Sequence, residues 1–312
     1  MIELDLRRLR FLREFEERGT LAAVAAALGY SPSTVSQQLA LLEKDVGARL
    51  LDKAGRGVRL TDAGHLLAQH ARILLSAAEA AEADLAALSG DIRGTVRAGG
   101  LQSAARRLLI PAVARMKADH PQVRVEIFEL ELEQSLPGLR LGTVDLVIGD
   151  EYDSHPRPRP TGLRFTLLLE EPLKIVLPAA HPLAQPGGPV AVTDLRSEIW
   201  TASAEGTGHH AMVVGTCRAL GGYEPDLRHR SSDADVQLEL VRAATAVALM
   251  PALTLPCNDP ALAIRDIAEA TLKRRLVVAT RDTPPAPSLT ALLTAVTDQV
   301  HKLDPKKLSS TA

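Results

Sequence analysis

Residues 31–42 read SPSTVSQQLALL, a helical stretch without a single charged side chain. Val35, Leu39 and Leu42 recur at the spacing of one buried helix face. Ser31 is placed to cap the helix, and Pro32 takes the first helical position, where its missing N–H costs nothing. The opposite face carries only hydroxyl and amide groups, on Ser33, Thr34, Ser36, Gln37 and Gln38. Such a face is either solvated or built to contact a polar partner.

The flanking sequence predicts two short helices before this one and a hairpin after it. Residues 4–18 are amphipathic and end at Gly19, and Thr20 can cap the next helix, LAAVAAALG, which Gly29 closes. A tight joint between short helices is typical of a helix-turn-helix. After it, ARLLDKAGRGVRLT reads as two short strands around a turn. This hairpin, the wing, is basic through Arg49, Lys53, Arg56 and Arg59.

Residues 62–88 form the longest helical run of the chain. Two positions of a heptad repeat stay small or apolar, which predicts a long helix packed on a partner helix. One position is taken by Gly64, Ala71, Ala78 and Leu85, and the other by Leu67, Leu74, Ala81 and Leu88. A helix lying on its own domain is the alternative. Because Ser89-Gly90 and a strand-like start at Thr95 follow, we interpret the helix as a connector that also carries a dimerisation surface.

From residue 91 onward, strand-like and helix-like segments alternate. VRAGG, VRVEIFEL and VDLVIGD are separated by helical stretches, a β-α-β-α-β series expected to form a parallel sheet. After the proline-rich loop at 153–160, LRFTLLLEEPLKIVLP opens a second α/β set. We therefore divide the chain into 1–61, a winged helix-turn-helix; 62–90, a linker helix; 91–302, an α/β domain; and 303–312, a polar tail. Within the α/β domain we expect subdomain I at 91–163 with 282–302, and subdomain II at 164–281.

Composition excludes several classes of protein. The formal net charge is −2, so a basic field over the whole molecule does not indicate nucleic acid, and local charge decides instead. The two cysteines, Cys217 and Cys257, form no Cys-x-x-Cys and no Cys/His cluster, which favours a reducing cytoplasm and neither a metal nor a cofactor. The charged first residues and the absence of a long apolar run predict no signal peptide and no membrane span.

The stretch from Gly19 to Gly64 resembles the winged helix-turn-helix of LysR-type transcriptional regulators. The marks that match are the small-residue helix after Gly19-Thr20, the Ser-x-Ser/Thr-Val-Ser-x-Gln pattern, Leu42-Glu43, Gly47, Arg49-Leu50-Leu51, Arg56 and Leu60-Thr61-x-Ala63-Gly64. By this resemblance the long helix is the dimerising linker, and the α/β domain is a periplasmic-binding-protein-like effector domain of two subdomains. The resemblance implies a cytoplasmic homodimer or homotetramer that binds a pseudo-palindromic operator on double-stranded DNA. It also implies a small-molecule effector and contact with RNA polymerase.

Ten residues are expected to contact DNA: Ser31, Pro32, Ser33, Thr34, Ser36, Gln37, Gln38, Arg49, Lys53 and Arg56. The helix offers donors and acceptors to base edges in the major groove, and the wing offers charge to phosphates. Three positions depart from residues that are frequent in the family. Pro32 replaces Gln and cannot donate, Gln37 replaces Arg and favours adenine over guanine, and Lys53 replaces Arg with a point charge.

The resemblance places the effector between the two subdomains. The matching positions are Leu101, Gln102, Ser103, Gly149, Thr201, Ala202, Ser203, Thr207 and Val247. Free N–H groups at helix starts with nearby hydroxyls favour an organic anion. The alternative for Ser103 and Ser203 is that each merely caps a helix.

Gly206-Thr207-Gly208-His209-His210-Ala211 fits the loose dinucleotide pattern G-x-G-x-x-G/A. The preceding strand is short and no acidic strand end follows, so we interpret this stretch as a loop that leads into a helix, with its two histidines solvated or capping. An enzyme with a DNA-binding head, of the biotin-ligase-repressor type, is the alternative function. It needs a nucleotide-cradling loop with a basic residue, and this stretch has none. We therefore expect a regulator that is not an enzyme.

Overall fold

The structure is a computed structural model that describes residues 4–54, 57–88, 92–152, 159–185 and 188–303. Arg56, most of the proline-rich loop at 153–160 and all but the first residue of the polar tail lie outside the described residues. Within the described residues, no helix is both long enough and apolar enough to cross a membrane.

Three short helices build the amino-terminal domain: α1 (Leu6–Arg18), α2 (Leu21–Leu28) and α3 (Pro32–Val46). Each begins where a side-chain oxygen accepts from free backbone N–H groups, on Asp5, Thr20 and Ser31 respectively. Each ends at a glycine in the left-handed region, at φ angles of 73°, 70° and 69°. The caps at Thr20 and Ser31 and the helix ends at Gly19 and Gly29, predicted from the sequence, are confirmed.

The core of this domain lies between α1 and α3. Phe11, Leu12 and Phe15 of α1 meet the predicted apolar row of α3, whose members Val35, Leu39 and Leu42 are fully buried. The wing hairpin, β1 (Leu51–Ala54) and β2 (Gly57–Leu60), is antiparallel and leads into α4 (Asp62–Ala87). Gly64 of α4 touches the wing so closely that a Cβ there would lie 2.2 Å from the Leu50 carbonyl oxygen. Gly64 therefore serves packing within the domain and does not belong to a free seam.

The α/β domain is one sheet of nine strands in two parts joined by a long strand. Its strands are β3 (Gly94–Gly100), β4 (Val123–Glu129), β5 (Leu146–Tyr152), β6 (Leu163–Pro178), β7 (Ile199–Ala202), β8 (Asp226–Arg230), β9 (Val247–Pro251), β10 (Leu262–Arg265) and β11 (Lys273–Arg281). Their order is β4-β3-β5-β11-β6-β9-β7-β8, with β10 also paired to β6. The strands β4, β3 and β5 are parallel, as predicted, and so are β8, β7 and β9. In contrast, β6 and β11 run antiparallel to the neighbours they pair with, which makes the sheet mixed.

The crossing between the subdomains lies within β6. Its first half, up to Pro172, pairs with β11, and its second half, from Leu173, pairs with β9. Because β11 also pairs with β5, all of β11 belongs to subdomain I. The sequence-based boundaries at 163/164 and 281/282 therefore need correction, since alternation along the chain does not reveal which strands share hydrogen bonds.

Helices cover both faces of each part of the sheet. They are α5 (Gln102–Ala104), α6 (Ile110–Asp119), α7 (Leu132–Leu141), α8 (Gly208–Thr216), α9 (Ala234–Arg242) and α10 (Pro287–Lys302). In subdomain I, α6 and α10 bury one face and α7 the other. In subdomain II, α8 and α9 do the same. The carboxyl ends of the parallel strands thus meet the starts of α5, α8 and α9 at the junction of the subdomains.

Candidate nucleic-acid interface and effector cleft

The amino-terminal half of α3 presents an uncharged polar face. Ser33, Ser36 and Gln37 are exposed, as are Ser31 and Pro32 at the helix start, while Thr34 and Gln38 are half-buried. The Ser31 hydroxyl oxygen lies 2.7 Å from that of Ser33 and 2.8 Å from that of Thr34. This hydroxyl cluster at the positive end of a helix supplies donors and acceptors on one surface, as major-groove reading requires.

The wing lies beside this face and is charged. Arg49, Lys53 and Arg59 are exposed, and the nearest carboxylate to Arg49 is Asp52, at 3.7 Å. An exposed pair at this distance holds its partners weakly, so the guanidinium stays available to a phosphate. The predicted contact Arg56 lies outside the described residues.

Two features of this domain escaped the sequence analysis. The Glu43 carboxylate accepts from the backbone N–H groups of Leu50 and Leu51, at 2.7 and 3.0 Å, and so fixes the wing to α3. Arg7 donates to the Tyr30 hydroxyl at 2.9 Å and lies over its ring, which places a phenol in the turn before α3. Tyrosine hydroxyls are among the groups that contact DNA backbone oxygens. An exposed aromatic residue directly before the helix cap was the available signal.

The predicted seam of α4 divides into two parts. Leu67 and Ala71 pack into the core of the DNA-binding domain, and Ala71 is fully buried there. From Leu74 onward the seam is open: Leu74, Leu85 and Leu88 are 38%, 67% and 85% exposed. Ala81 is exposed as well, and Ala78 is half-buried. The free apolar stripe is therefore Leu74, Ala78, Ala81, Leu85 and Leu88, which we call the α4 stripe.

A small cavity of about 60 Å³ lies between the subdomains. Its floor comes from the ends of β5, β9 and β11 and its walls from the starts of α5, α8 and α9. Its polar lining is Gln102, Ser103, Glu129, Glu131, Asp150, Tyr152, Ser203, Thr207, His209, Ser232, Gln237, Thr254 and Arg274.

Arg274 is the cationic centre of the cavity wall, and it is buried. Its Nε and one Nη donate to the Glu171 carboxylate at 2.8 and 2.5 Å, and the same Nη donates to the Ser103 hydroxyl at 3.0 Å. Its other Nη lies 3.7 Å from Asp150, which accepts from the Tyr152 hydroxyl at 2.9 Å. The guanidinium is thus held between two carboxylates, as burial of a charge demands. Sequence reasoning missed this whole cluster.

The opposite wall is built around His209. Its Nε2 donates to the Leu249 carbonyl at 2.9 Å, and its Nδ1 accepts from the Ser203 backbone N–H at 3.1 Å. Burial lowers the pKa of His209 to about 4, and the charge of Arg274 acts in the same direction. The imidazole is therefore neutral and structural, which corrects the expectation of a solvated or capping histidine.

Comparison with known proteins assigns both parts of the chain to one family. The model for the bacterial regulatory helix-turn-helix protein, lysR family, matches residues 6–65, and the model for the LysR substrate binding domain matches residues 89–300. The chain belongs to the LysR family. It is a DNA-binding transcriptional regulator with an effector-binding domain, and the winged helix-turn-helix followed by a two-part α/β domain predicted from the sequence is confirmed.

Relatives in the LysR family align over most of the chain. The transcriptional dual regulator GltC of Bacillus subtilis is 26% identical over 265 residues, which are 84% of this chain and 85% of that protein. The regulator BenM of Acinetobacter baylyi is 26% identical over 289 residues, 86% of this chain and 92% of its own. Full-length CbnR complexed with its target DNA has the same fold, with a TM-score of 0.69, 23% identity and coverage of 95% and 100%. Full-length OxyR of Pseudomonas aeruginosa reaches a TM-score of 0.71 at 17% identity, with coverage of 97% and 99%.

The structure brings five of the nine predicted effector residues of this LysR-family chain to the cavity: Leu101, Gln102, Ser103, Ser203 and Thr207. It places the other four elsewhere. Ala202 and Val247 lie in the core of subdomain II, and Thr201 is fully buried in β7. Gly149 faces α7, where a Cβ would lie 2.5 Å from Leu132. These four follow the same strands as the lining residues but point to the other side, because side chains alternate along a strand.

The helix starts at the cleft are largely capped already. Thr207 accepts from the His210 N–H at the start of α8, and Asp233 accepts from the Asp235 N–H at the start of α9. Gln102 accepts from the Ala234 N–H at 3.0 Å and donates to Asp233 at 2.8 Å. Only α5, which begins at Leu101, lacks a side-chain cap among these three helices. The free N–H groups on which the anion prediction rested are thus fewer than the sequence suggests.

Proposed function

We propose that the protein docks on a promoter site through the amino-terminal half of α3, with the wing resting on the adjacent phosphates. The observation that carries this proposal is the two-sided nature of α3, whose apolar row is fully buried while Ser33, Ser36 and Gln37 are exposed. The exposed cations Arg49, Lys53 and Arg59 lie beside that face. The fold shared with CbnR, which was crystallised on its target DNA, supports the same docking.

The test is a titration of labelled DNA from upstream of the protein's own gene, against a random duplex of equal length. If the wing neutralises about five phosphates, affinity falls by roughly 10²–10³-fold between about 50 and 200 mM salt. The upstream fragment retains tighter binding than the random duplex at every salt concentration. Equal affinity for both duplexes, or affinity that does not change with salt, would contradict the docking.

We also propose that two protomers pair along the α4 stripe and bind a pseudo-palindromic site together, with a tetramer as the further assembly. Exposed leucines at the heptad spacing of 74, 78, 81, 85 and 88 support this pairing. Leu85→Glu should convert the dimer to a monomer in sedimentation velocity. Leu66→Glu is the matched control, because Leu66 is 58% exposed but lies off the stripe. A dimer that survives Leu85→Glu would place the interface elsewhere.

The effector, in this proposal, occupies the cavity between the subdomains and favours one of their relative positions. Side-chain contacts already cross the cleft, from Gln102 to Asp233 and from Arg106 to Asp235 at 3.4 Å. A ligand that replaces or strengthens such contacts shifts the arrangement. The double variant Ser103→Ala with Ser203→Ala should abolish the effector response in the DNA titration and leave DNA affinity unchanged. An unaltered response would move the site out of this cavity.

Transmission to DNA passes along α4. Glu79 on this helix lies 3.9 Å from Arg13 of α1 and 4.0 Å from Arg97 of β3, so it adjoins both domains. Pairs at such distances and partial exposure are worth only about 0–1 kcal/mol. The link within one chain is therefore soft, and we expect the spacing between paired DNA-binding domains, set by assembly along the α4 stripe, to carry the signal.

A further inference from the structure

We infer that the effector carries a protonated amino group, because the cavity presents carboxylates and an unsatisfied buried carbonyl, while the guanidinium in its wall is already paired. This inference rests on the proposed function and names the ligand class of the same site. It replaces the organic anion expected from the sequence.

The charges around the cavity are mainly negative. Among the described residues that line it, Glu129, Glu131 and Asp150 are carboxylates and Arg274 is a guanidinium. The Glu171 carboxylate stands directly behind Arg274, and His209 is neutral at physiological pH. A second carboxylate brought in by a ligand would meet like charges at close range, whereas an ammonium would meet opposite ones.

Arg274 has little left to offer an anion. Three of its hydrogen bonds are made inside the protein, two to Glu171 and one to Ser103, all within 3.0 Å. Taking it from Glu171 would leave that fully buried carboxylate uncompensated, which costs several kcal/mol in proteins generally. The arginine therefore stabilises the wall and does not serve as a clamp for a ligand carboxylate.

Asp150 gains from a nearby cation. Its carboxylate is buried, accepts from Tyr152 and lies 3.7 Å from one Nη of Arg274. Burial nevertheless raises the pKa of Asp150, and the opposing effects of Arg274 and Tyr152 do not cancel it. A ligand ammonium at this wall favours the ionised form, since an opposite charge nearby stabilises a buried carboxylate.

Gln237 supplies an independent observation. Its side chain lines the cavity and is 2% exposed, and its Oε1 has no hydrogen-bond partner among the described residues. The orientation of the amide is fixed, because its Nε2 donates to the Ser231 carbonyl at 2.6 Å. A buried acceptor without a donor costs free energy until a partner arrives. An ammonium group brings up to three N–H donors.

The test uses ligand-observed saturation-transfer NMR on the full chain with methylammonium as the probe, at about 100 mM, where site binding also raises apparent stability. Tetramethylammonium, which has the same charge but no N–H donor, and acetate are the comparisons at equal ionic strength. We expect saturation transfer to methylammonium well above that to either comparison. Stronger transfer to acetate, or equal transfer to the two cations, would overturn the inference.

Two variants and their controls locate the binding. Gln237→Leu should weaken methylammonium binding about tenfold, since it removes a hydrogen bond to a charged group, whereas Gln122→Leu, in an exposed turn, should not. Glu129→Gln changes an exposed residue that is not needed for folding; it should weaken binding severalfold, and Glu17→Gln in α1 should leave it unchanged. Binding that survives both cavity variants refutes the site.

The DNA titration on the same preparations separates the two proposals. Salt-sensitive, specific DNA binding together with preference for acetate defeats only the amine inference. Methylammonium binding in the cavity without specific DNA binding defeats the proposed promoter docking and leaves the amine inference standing.

Discussion

Acid should destabilise subdomain II through one histidine. Burial lowers the pKa of His209 to about 4, from 6.5 in an exposed histidine, and its Nδ1 accepts from the Ser203 N–H. In the unfolded chain the imidazole takes up a proton below about pH 6.5, while in the fold it stays neutral until about pH 4. Stability is therefore complete above pH 6.5 and is lost as the pH falls toward 4. The linkage relation makes the loss about 2 kcal/mol at pH 5 and about 3 kcal/mol at pH 4.

Trp200 makes this loss measurable. It is the single tryptophan of the chain and lies fully buried in the core of subdomain II. Urea unfolding followed by its fluorescence at pH 7.5, 6, 5 and 4, in wild type and His209→Gln, cancels the titration of every other group. Glutamine can keep one donor and one acceptor and does not titrate, so the variant should lack the loss. His301→Gln, at the exposed end of α10, should retain it. Identical pH profiles for wild type and His209→Gln would refute the reasoning.

Three other substitutions probe the rest of the molecule. Gln37→Ala should reduce discrimination between operator and random DNA by about 1–3 kcal/mol, whereas Lys53→Ala should weaken both about equally; fluorescence anisotropy on the two duplexes decides, and unchanged specificity for the first would misplace the reading face. Gly149→Ala places a Cβ 2.5 Å from a side chain of α7 and should cost about 1–3 kcal/mol in urea unfolding; a neutral result would mean that α7 yields. Gln102→Ala removes the acceptor of the Ala234 N–H and should speed hydrogen exchange of that amide about tenfold; unchanged protection would show that the bridge across the cleft is idle.

The DNA-binding domain could be predicted almost in full because its signals are local. Ser31 caps a helix that starts one residue later, and Gly47 ends the same helix in the left-handed region. The burial of Val35, Leu39 and Leu42 follows from a period of 3.6 residues. Each of these features needs only a few neighbours along the chain.

The linker helix shows where local patterns stop. A heptad repeat identifies an apolar seam, but it does not tell which partner covers each part of it. Leu67 and Ala71 are covered by the chain's own α1 and wing, whereas Leu85 and Leu88 are exposed. The two parts look alike in sequence, because both are Leu and Ala at the same spacing. Only the position of α1 separates them.

The charged cleft depends on a strand pairing that spans the chain. Glu170 and Glu171 are adjacent in β6, yet the first is exposed and lies 3.3 Å from Lys273, while the second is buried and holds Arg274. Alternation along a strand predicts that the two glutamates face opposite ways, but not which of them faces the core. That choice is made by the register of β6 against β11, in which Glu171 is opposite Arg274 across 103 residues of sequence. With that register unknown, EE at 170–171 and KRR at 273–275 read as solvated charge, and the cleft looks ready for an anion. Once the register is known, the arginine is already paired, and the remaining charge in the cleft calls for a cation.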